Sequence, residues 1–75
     1  MTNEQESKRI GERIAQLRKE QGMTQGELAA KAETNQGHIA RIEQGKYDIR
    51  LSVLSAIAEA LGTTVEFIRK EVPSE

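Results

Sequence analysis

The most constraining feature of this sequence is residues 23–45, MTQGELAAKAETNQGHIARIEQG, because two helix starts and two helix stops are crowded into it. Thr24 with Glu27 three residues later forms a capping box, in which each side chain accepts from the other residue's backbone N–H. Met23 before that cap and Leu28 after it are spaced as a hydrophobic staple. Leu28, Ala29 and Ala32 supply an apolar face, and Glu33-Thr34 makes a turn. Asn35 is a second N-cap candidate, since its side chain can accept from orphan N–H groups of the next turn. Ile39 and Ile42 follow at helical spacing, and Gly45 stands where a C′ residue would end the helix. The stretch predicts two short helices joined by a tight turn.

The rest of the chain also reads as short helices. Ser7 is placed to cap a first helix running to about Gln21, with Ile10, Ile14 and Leu17 at helical spacing and Gly22 as its stop. A fourth helix is expected from Leu51 or Ser52 to Leu61, with Leu54, Ile57, Ala58 and Leu61 on one face and Gly62 closing it. Thr64 can cap a fifth, from Val65 to about Glu71, before Pro73 forbids continuation. Glu66 near its start and Arg69 and Lys70 near its end suit the helix dipole. The expectation is an all-α domain of five short helices over residues 7–71, with a flexible arm at 1–6 and a loose tail at 72–75. Ile14, Leu17, Leu28, Ala29, Ile39, Ile42, Leu54, Ile57, Leu61 and Ile68 are the expected core. Arg13 and Lys31 read as ordinary surface charges.

Composition narrows the function classes. A chain of 75 residues makes one domain. A domain that small buries only about 60% of its unfolded surface, which leaves little room for an enclosed active site. No nucleophile–base pair, phosphate loop or metal motif is present, so no enzyme, cofactor or metal site is expected. A lone histidine, His38, without a ligand cluster is not a metal site. Absence of cysteine excludes disulfides and thiolate metal sites. The polar start TNEQESKR and the lack of a long apolar run give no leader and no membrane span, so a cytoplasmic location is expected by elimination. The net charge of −1 does not by itself point to nucleic acid. Its distribution matters more: residues 1–50 carry nine Lys/Arg against eight Asp/Glu, and the acidic surplus lies in the last third.

Two short helices at a steep angle across a tight turn form a unit whose second helix can enter the DNA major groove. Asn35 and Gln36 stand at the open end of that second helix, where unpaired N–H groups and the dipole favour a phosphate. Gln36 offers an amide donor and acceptor together, which fits adenine N6/N7. Arg41 lies one turn plus about 140° further on, at a flank of the same face, and its planar fork fits guanine O6/N7 or a phosphate. Gly37 costs about 0.5–1 kcal/mol in a helix relative to Ala, and reads either as drift at a helix end or as close approach of backbone to a duplex. Gly26 holds the matching position in the preceding helix, with the same two readings.

The combination of Leu17-Arg18 with Gly22-Met23-Thr24-Gln25, then Leu28-Ala29, then Ile39-Ala40-Arg41-Ile42-Glu43-Gln44-Gly45, then Ile57-Ala58-Glu59-Ala60-Leu61-Gly62, resembles the Cro/lambda-repressor-type (XRE-like) helix-turn-helix family. The resemblance covers roughly residues 8–71. It implies a lambda-repressor-like fold and sequence-specific binding of double-stranded DNA. It further implies a transcriptional regulator, a repressor acting as a homodimer on a palindromic operator. The alternative it carries is an antitoxin that binds a toxin protein and represses its own operon.

By this resemblance Gln25 opens the second helix and touches the DNA backbone, Gln36, Gly37 and Arg41 occupy base-reading positions, and His38 lies beside them. Lys46, Tyr47 and Arg50 fall in a loop that runs along phosphates. Arg18 and Glu43 match an ion pair tying the first helix to the third. Helix 5, with Val65 and Phe67, would supply the dimer contact; Phe67 could instead complete the monomer's core. The chain departs from the family pattern in three places. Glu33 stands where many relatives have Gly, implying a strained or altered turn. Arg50 stands where many have Ser or Thr, which would delay helix 4 to a cap at Ser52. Gly37 replaces a larger reading side chain.

Overall fold

The computed structural model describes residues 3–46 and 49–70, with side chains from Gln5 onward. Five helices follow in order: α1 Asn3–Glu20, α2 Gln25–Lys31, α3 Gln36–Glu43, α4 Leu51–Ala60 and α5 Val65–Arg69. No strand occurs among the described residues, so the all-α architecture holds. Tyr47, Asp48 and the tail 71–75 lie outside the described residues.

The local start signals act as the sequence predicts. Thr24 Oγ1 accepts from Glu27 N at 3.0 Å while Glu27 Oε1 accepts from Thr24 N at 2.9 Å, closing the capping box of α2. Asn35 caps α3 through His38 N at 2.8 Å, and Thr64 caps α5 through Phe67 N at 3.0 Å. Each of these satisfies a donor that the first helical turn leaves without a partner.

The stop signals share one geometry. α1, α2, α3 and α4 all end in a Schellman motif, with the C″ N–H reaching back to the C3 carbonyl. The four bonds are Met23 N to Arg18 O, Thr34 N to Ala29 O, Lys46 N to Arg41 O and Thr63 N to Ala58 O, at 2.9–3.1 Å. The C′ residue must then be left-handed. Glycine fills that place in three helices, and Glu33, with φ of 61°, fills it in α2. The strained turn expected there is therefore real. A left-handed L-residue costs about 1–2 kcal/mol, and glycine gives back about 0.5–1 kcal/mol through its unfolded-state entropy. Glu33→Gly is accordingly expected to stabilise the domain by about 0.5–1 kcal/mol in urea unfolding. A destabilised variant would show that Glu33 is held by more than backbone geometry.

One boundary differs from the sequence reading, and the start of α4 takes the earlier of the two places expected. α1 starts at Asn3, so Ser7 is no cap: it lies inside the helix and is buried, and the stretch expected as an arm is helical from Asn3. The extra turn is held by tertiary packing, since Ser7 and Ile10 face inward and Glu6 meets Arg69 of α5 at 3.4 Å. α4 starts at Leu51 rather than at a Ser52 cap, with Arg50 as an N-cap whose side chain makes no capping bond. Packing of Leu54, Ile57 and Ala58 carries that helix instead.

The core holds Ile14, Leu28, Ile39, Ile42, Ile57 and Ile68 with essentially no exposure, joined by Ile10, Ala29, Ala32, Leu54, Ala58 and Leu61. Leu17, expected in the core, is only partly buried against it. α3 is gripped from two sides, by α2 and by α1, while α4 packs on α2 and α5, and α5 on α1. Gly11 of α1 lies directly against the carbonyls of Ile42 and Glu43 at the end of α3. Gly45, just past that end, faces the backbone of Lys8. The absence of two side chains thus sets how closely α1 crosses the end of α3.

Arg13 is not an idle surface charge. Its Nη1 donates to Phe67 O at 2.7 Å and its guanidinium sits 5.3 Å from the centre of the Phe67 ring. Arg9 Nη1 donates to Arg69 O at 3.1 Å. Two arginines of α1 thus serve the last carbonyls of α5, a helix too short to be stable by itself. Phe67 remains 46% exposed and does not complete the monomer's core.

Candidate nucleic-acid interface

α3 presents the outward face that the sequence predicted. Ile39 and Ile42 point into the core, which turns Gln36 and Arg41 to the solvent side of the helix. One carboxylate on this helix could spoil a surface meant for an anion, and it is turned inward. Glu43 has only 7% of its side chain exposed and receives a two-pronged Arg18 guanidinium, Nε to Oε2 at 2.7 Å and Nη2 to Oε1 at 3.0 Å. Arg18 Nη1 also donates to Met23 O at 2.8 Å, tying the ion pair to the turn before α2. The hydrogen-bonded Glu43 carboxylate holds the Arg18 guanidinium above its ordinary pKa range, against the opposing pull of burial. The pairing implied by the resemblance is present.

The same carboxylate reaches α2. Gln25 Nε2 donates to Glu43 Oε1 at 3.0 Å, and Gln36 Nε2 donates to Gln25 Oε1 at 2.7 Å. A continuous chain of bonds runs from buried Arg18 through Glu43 and Gln25 to exposed Gln36. Sequence reasoning placed Gln25 and Gln36 separately at a DNA surface; the fold brings them into direct contact. With one N–H held by Gln25, Gln36 keeps its carbonyl oxygen and second N–H for another partner.

The other expected residues fall around this pair. Asn35 is exposed, with its side-chain oxygen used for the cap. Gly37 is half-buried and not left-handed. His38 is half-buried, its Nδ1 2.8 Å from the Thr34 hydroxyl. Arg41, Lys46 and Arg50 are exposed, and among the described residues their side chains form no hydrogen bond or ion pair. Tyr47, expected beside the phosphates, lies outside the described residues. Among those residues no group of His, Asp and Glu could hold a metal ion, and no helix is long and apolar enough to cross a membrane.

Comparison with known proteins points the same way. Residues 14–68 match the family model described as helix-turn-helix. Over 59 residues the chain is 44% identical to the immunity repressor protein of Bacillus phage phi105, covering 79% of this chain and 41% of that one. It thus spans about two fifths of the phage protein's length. It is 33% identical over 57 residues to the uncharacterized HTH-type transcriptional regulator y4dJ of Sinorhizobium fredii, covering 76% of this chain and 74% of the relative. In three dimensions it resembles the restriction-modification controller protein C.AhdI of Aeromonas hydrophila, with a TM-score of 0.80, 22% identity, and coverage of 83% of this chain and 94% of that one. At that identity the likeness speaks to the fold. With the family's residues, its five helices and its buried arginine–glutamate tie all in place, the chain belongs to the Cro/lambda-repressor-type helix-turn-helix family of DNA-binding transcription regulators.

Proposed function

We propose that this chain reads a specific sequence in double-stranded DNA, with α3 in the major groove, and acts in the cytoplasm as a repressor rather than an enzyme. The observation that carries the reading is the inward turn of Glu43 against Arg18, which clears α3 of exposed negative charge while leaving Gln36 and Arg41 outside. Gln36, fixed by Gln25, is the reader of adenine, and Arg41 the reader of guanine. Lys46 and Arg50 are contacts to phosphate, which position the helix without carrying sequence information. His38 and Asn35 border this surface. The half-exposed Phe67 with Val65 is the face through which a second copy docks, and a two-fold dimer then sets two α3 helices about 34–36 Å apart on a palindromic site.

Selection of bound fragments from random duplex DNA, followed by affinity measurement at several salt concentrations, tests this. The affinity is expected to fall with a slope of about −0.9 per phosphate neutralised. Arg41→Ala is expected to weaken binding to the selected site by about 1–3 kcal/mol and to relax preference at one base position. A loss equal on all sequences would move Arg41 to the phosphate contacts. Failure to enrich any sequence would overturn the reading.

A further inference from the structure

One ring on α3 makes a bond that neither capping nor the core requires. His38 is half-buried on that helix, and its Nδ1 lies 2.8 Å from the hydroxyl of Thr34. Thr34 sits in the turn between α2 and α3, one residue after left-handed Glu33. Its backbone is tied down, because its N–H closes the Schellman motif of α2 on Ala29 O at 2.9 Å. The hydroxyl is therefore presented to the ring from a fixed place.

The direction of this bond decides what the ring can do. A hydroxyl has one hydrogen to donate, and among the described residues Thr34 Oγ1 meets no other acceptor for it. The hydrogen goes to Nδ1, which makes that nitrogen the acceptor. In a neutral imidazole the ring proton then stands on Nε2, at the other edge of the ring. The place on the helix matters as well. His38 and Arg41 are three residues apart on α3 and so are neighbours along one side of it. Arg41 is exposed on the surface already assigned to DNA.

We infer that Thr34 is a positioning residue for DNA binding: its hydroxyl holds the His38 ring so that Nε2–H is offered to an acceptor on the duplex beside Arg41. This rests on the DNA-reading proposal above. The acceptor is a lone pair, either a purine N7 or a phosphate oxygen, because a ring edge that only donates is refused by the amino groups of the bases. Thr34 touches no DNA and acts through the ring alone. Its contribution is that the ring is already oriented before the duplex arrives, so less freedom is lost on binding.

The test uses the full chain and the duplex selected by the wild type. Thr34→Val keeps the side-chain shape and removes the hydroxyl, and is expected to weaken binding by about three- to tenfold, while Thr34→Ser binds as the wild type does. His38→Ala is expected to lose at least as much, and adding Thr34→Val to it is expected to cost nothing further. In the free protein at about pH 8, above the ordinary histidine range, the Nδ1 resonance in 15N NMR is expected to move in Thr34→Val and not in Thr34→Ser. Circular dichroism confirms that the helices are intact. A loss confined to one base position identifies a purine N7 as the acceptor, and a loss equal on all sequences a phosphate oxygen. A His38→Ala chain that binds as tightly as the wild type, or a Thr34→Val loss that persists without the ring, overturns this inference and leaves the DNA-reading proposal standing. A wild-type chain that selects no duplex overturns both.

Discussion

Arg18→Met is expected to lower Tm by about 15–30 °C, following a loss of about 3–5 kcal/mol. The reason is what stays behind. Glu43 would stay inside the fold with the Gln25 amide as its remaining side-chain donor, and Met23 O would lose the bond from Nη1. A domain of this length has only about 4–11 kcal/mol of total stability, so the loss takes a large share of it. Replacing both partners by apolar residues of similar size, Arg18→Met with Glu43→Leu, should recover much of the stability, because no unpaired charge remains. It should not recover DNA binding, since Gln25 then loses the carboxylate that fixes it and Gln36 loses its anchor in turn. Thermal unfolding followed by far-ultraviolet circular dichroism measures the first effect, and a single variant melting at the wild-type temperature would remove the pair from the stability argument. The arginine itself adds no pH dependence near neutrality. Its pKa is raised on folding, so its contribution is complete below the ordinary arginine range and is lost only as pH rises beyond that range.

The second large effect is expected at Gly11, and its sign is what makes it informative. Helix propensity by itself forecasts that Gly11→Ala stabilises α1 by up to about 1 kcal/mol. The packing forecasts the reverse. The new methyl would press on the carbonyls of Ile42 and Glu43, and these are backbone atoms of the last turn of α3 rather than yielding side-chain ends. Forcing atoms into a filled space costs about 1–3 kcal/mol, and here the relief is to pull α1 off α3, which also strains the Arg18–Glu43 bridge. We expect a net loss of at least about 1–2 kcal/mol in urea unfolding and a Tm lower by about 5–15 °C. A rise in Tm would mean that the crossing is looser than the structure has it. Gly11 thus differs from Gly26 and Gly37, also within helices, where an added Cβ would meet nothing nearer than 3.5 Å.

Much of this protein was legible in its residues because the signals are short. The Thr24–Glu27 box, the Asn35 and Thr64 caps and the glycine stops each act within one helical turn, and all took the conformation their chemistry favours. The spacing of Ile14, Leu28, Ile39, Ile42, Leu54, Ile57 and Ile68 marked the buried faces for the same reason. What the fold alone decided are contacts between residues far apart in the chain. α1 begins at Asn3 because its first turns pack on later elements, not because a cap announces it. α4 begins at Leu51 behind an Arg50 cap with no capping side-chain bond, since burial outweighs the missing bond. Arg13 looks like a solvent charge until α5 lays its carbonyls beside it and Arg9. Gln25 and Gln36 become one unit only when the turn between α2 and α3 closes. Local backbone preferences are written in neighbouring residues, whereas a close approach such as Gly11 against α3 depends on where two helices cross, and no short window of sequence contains both.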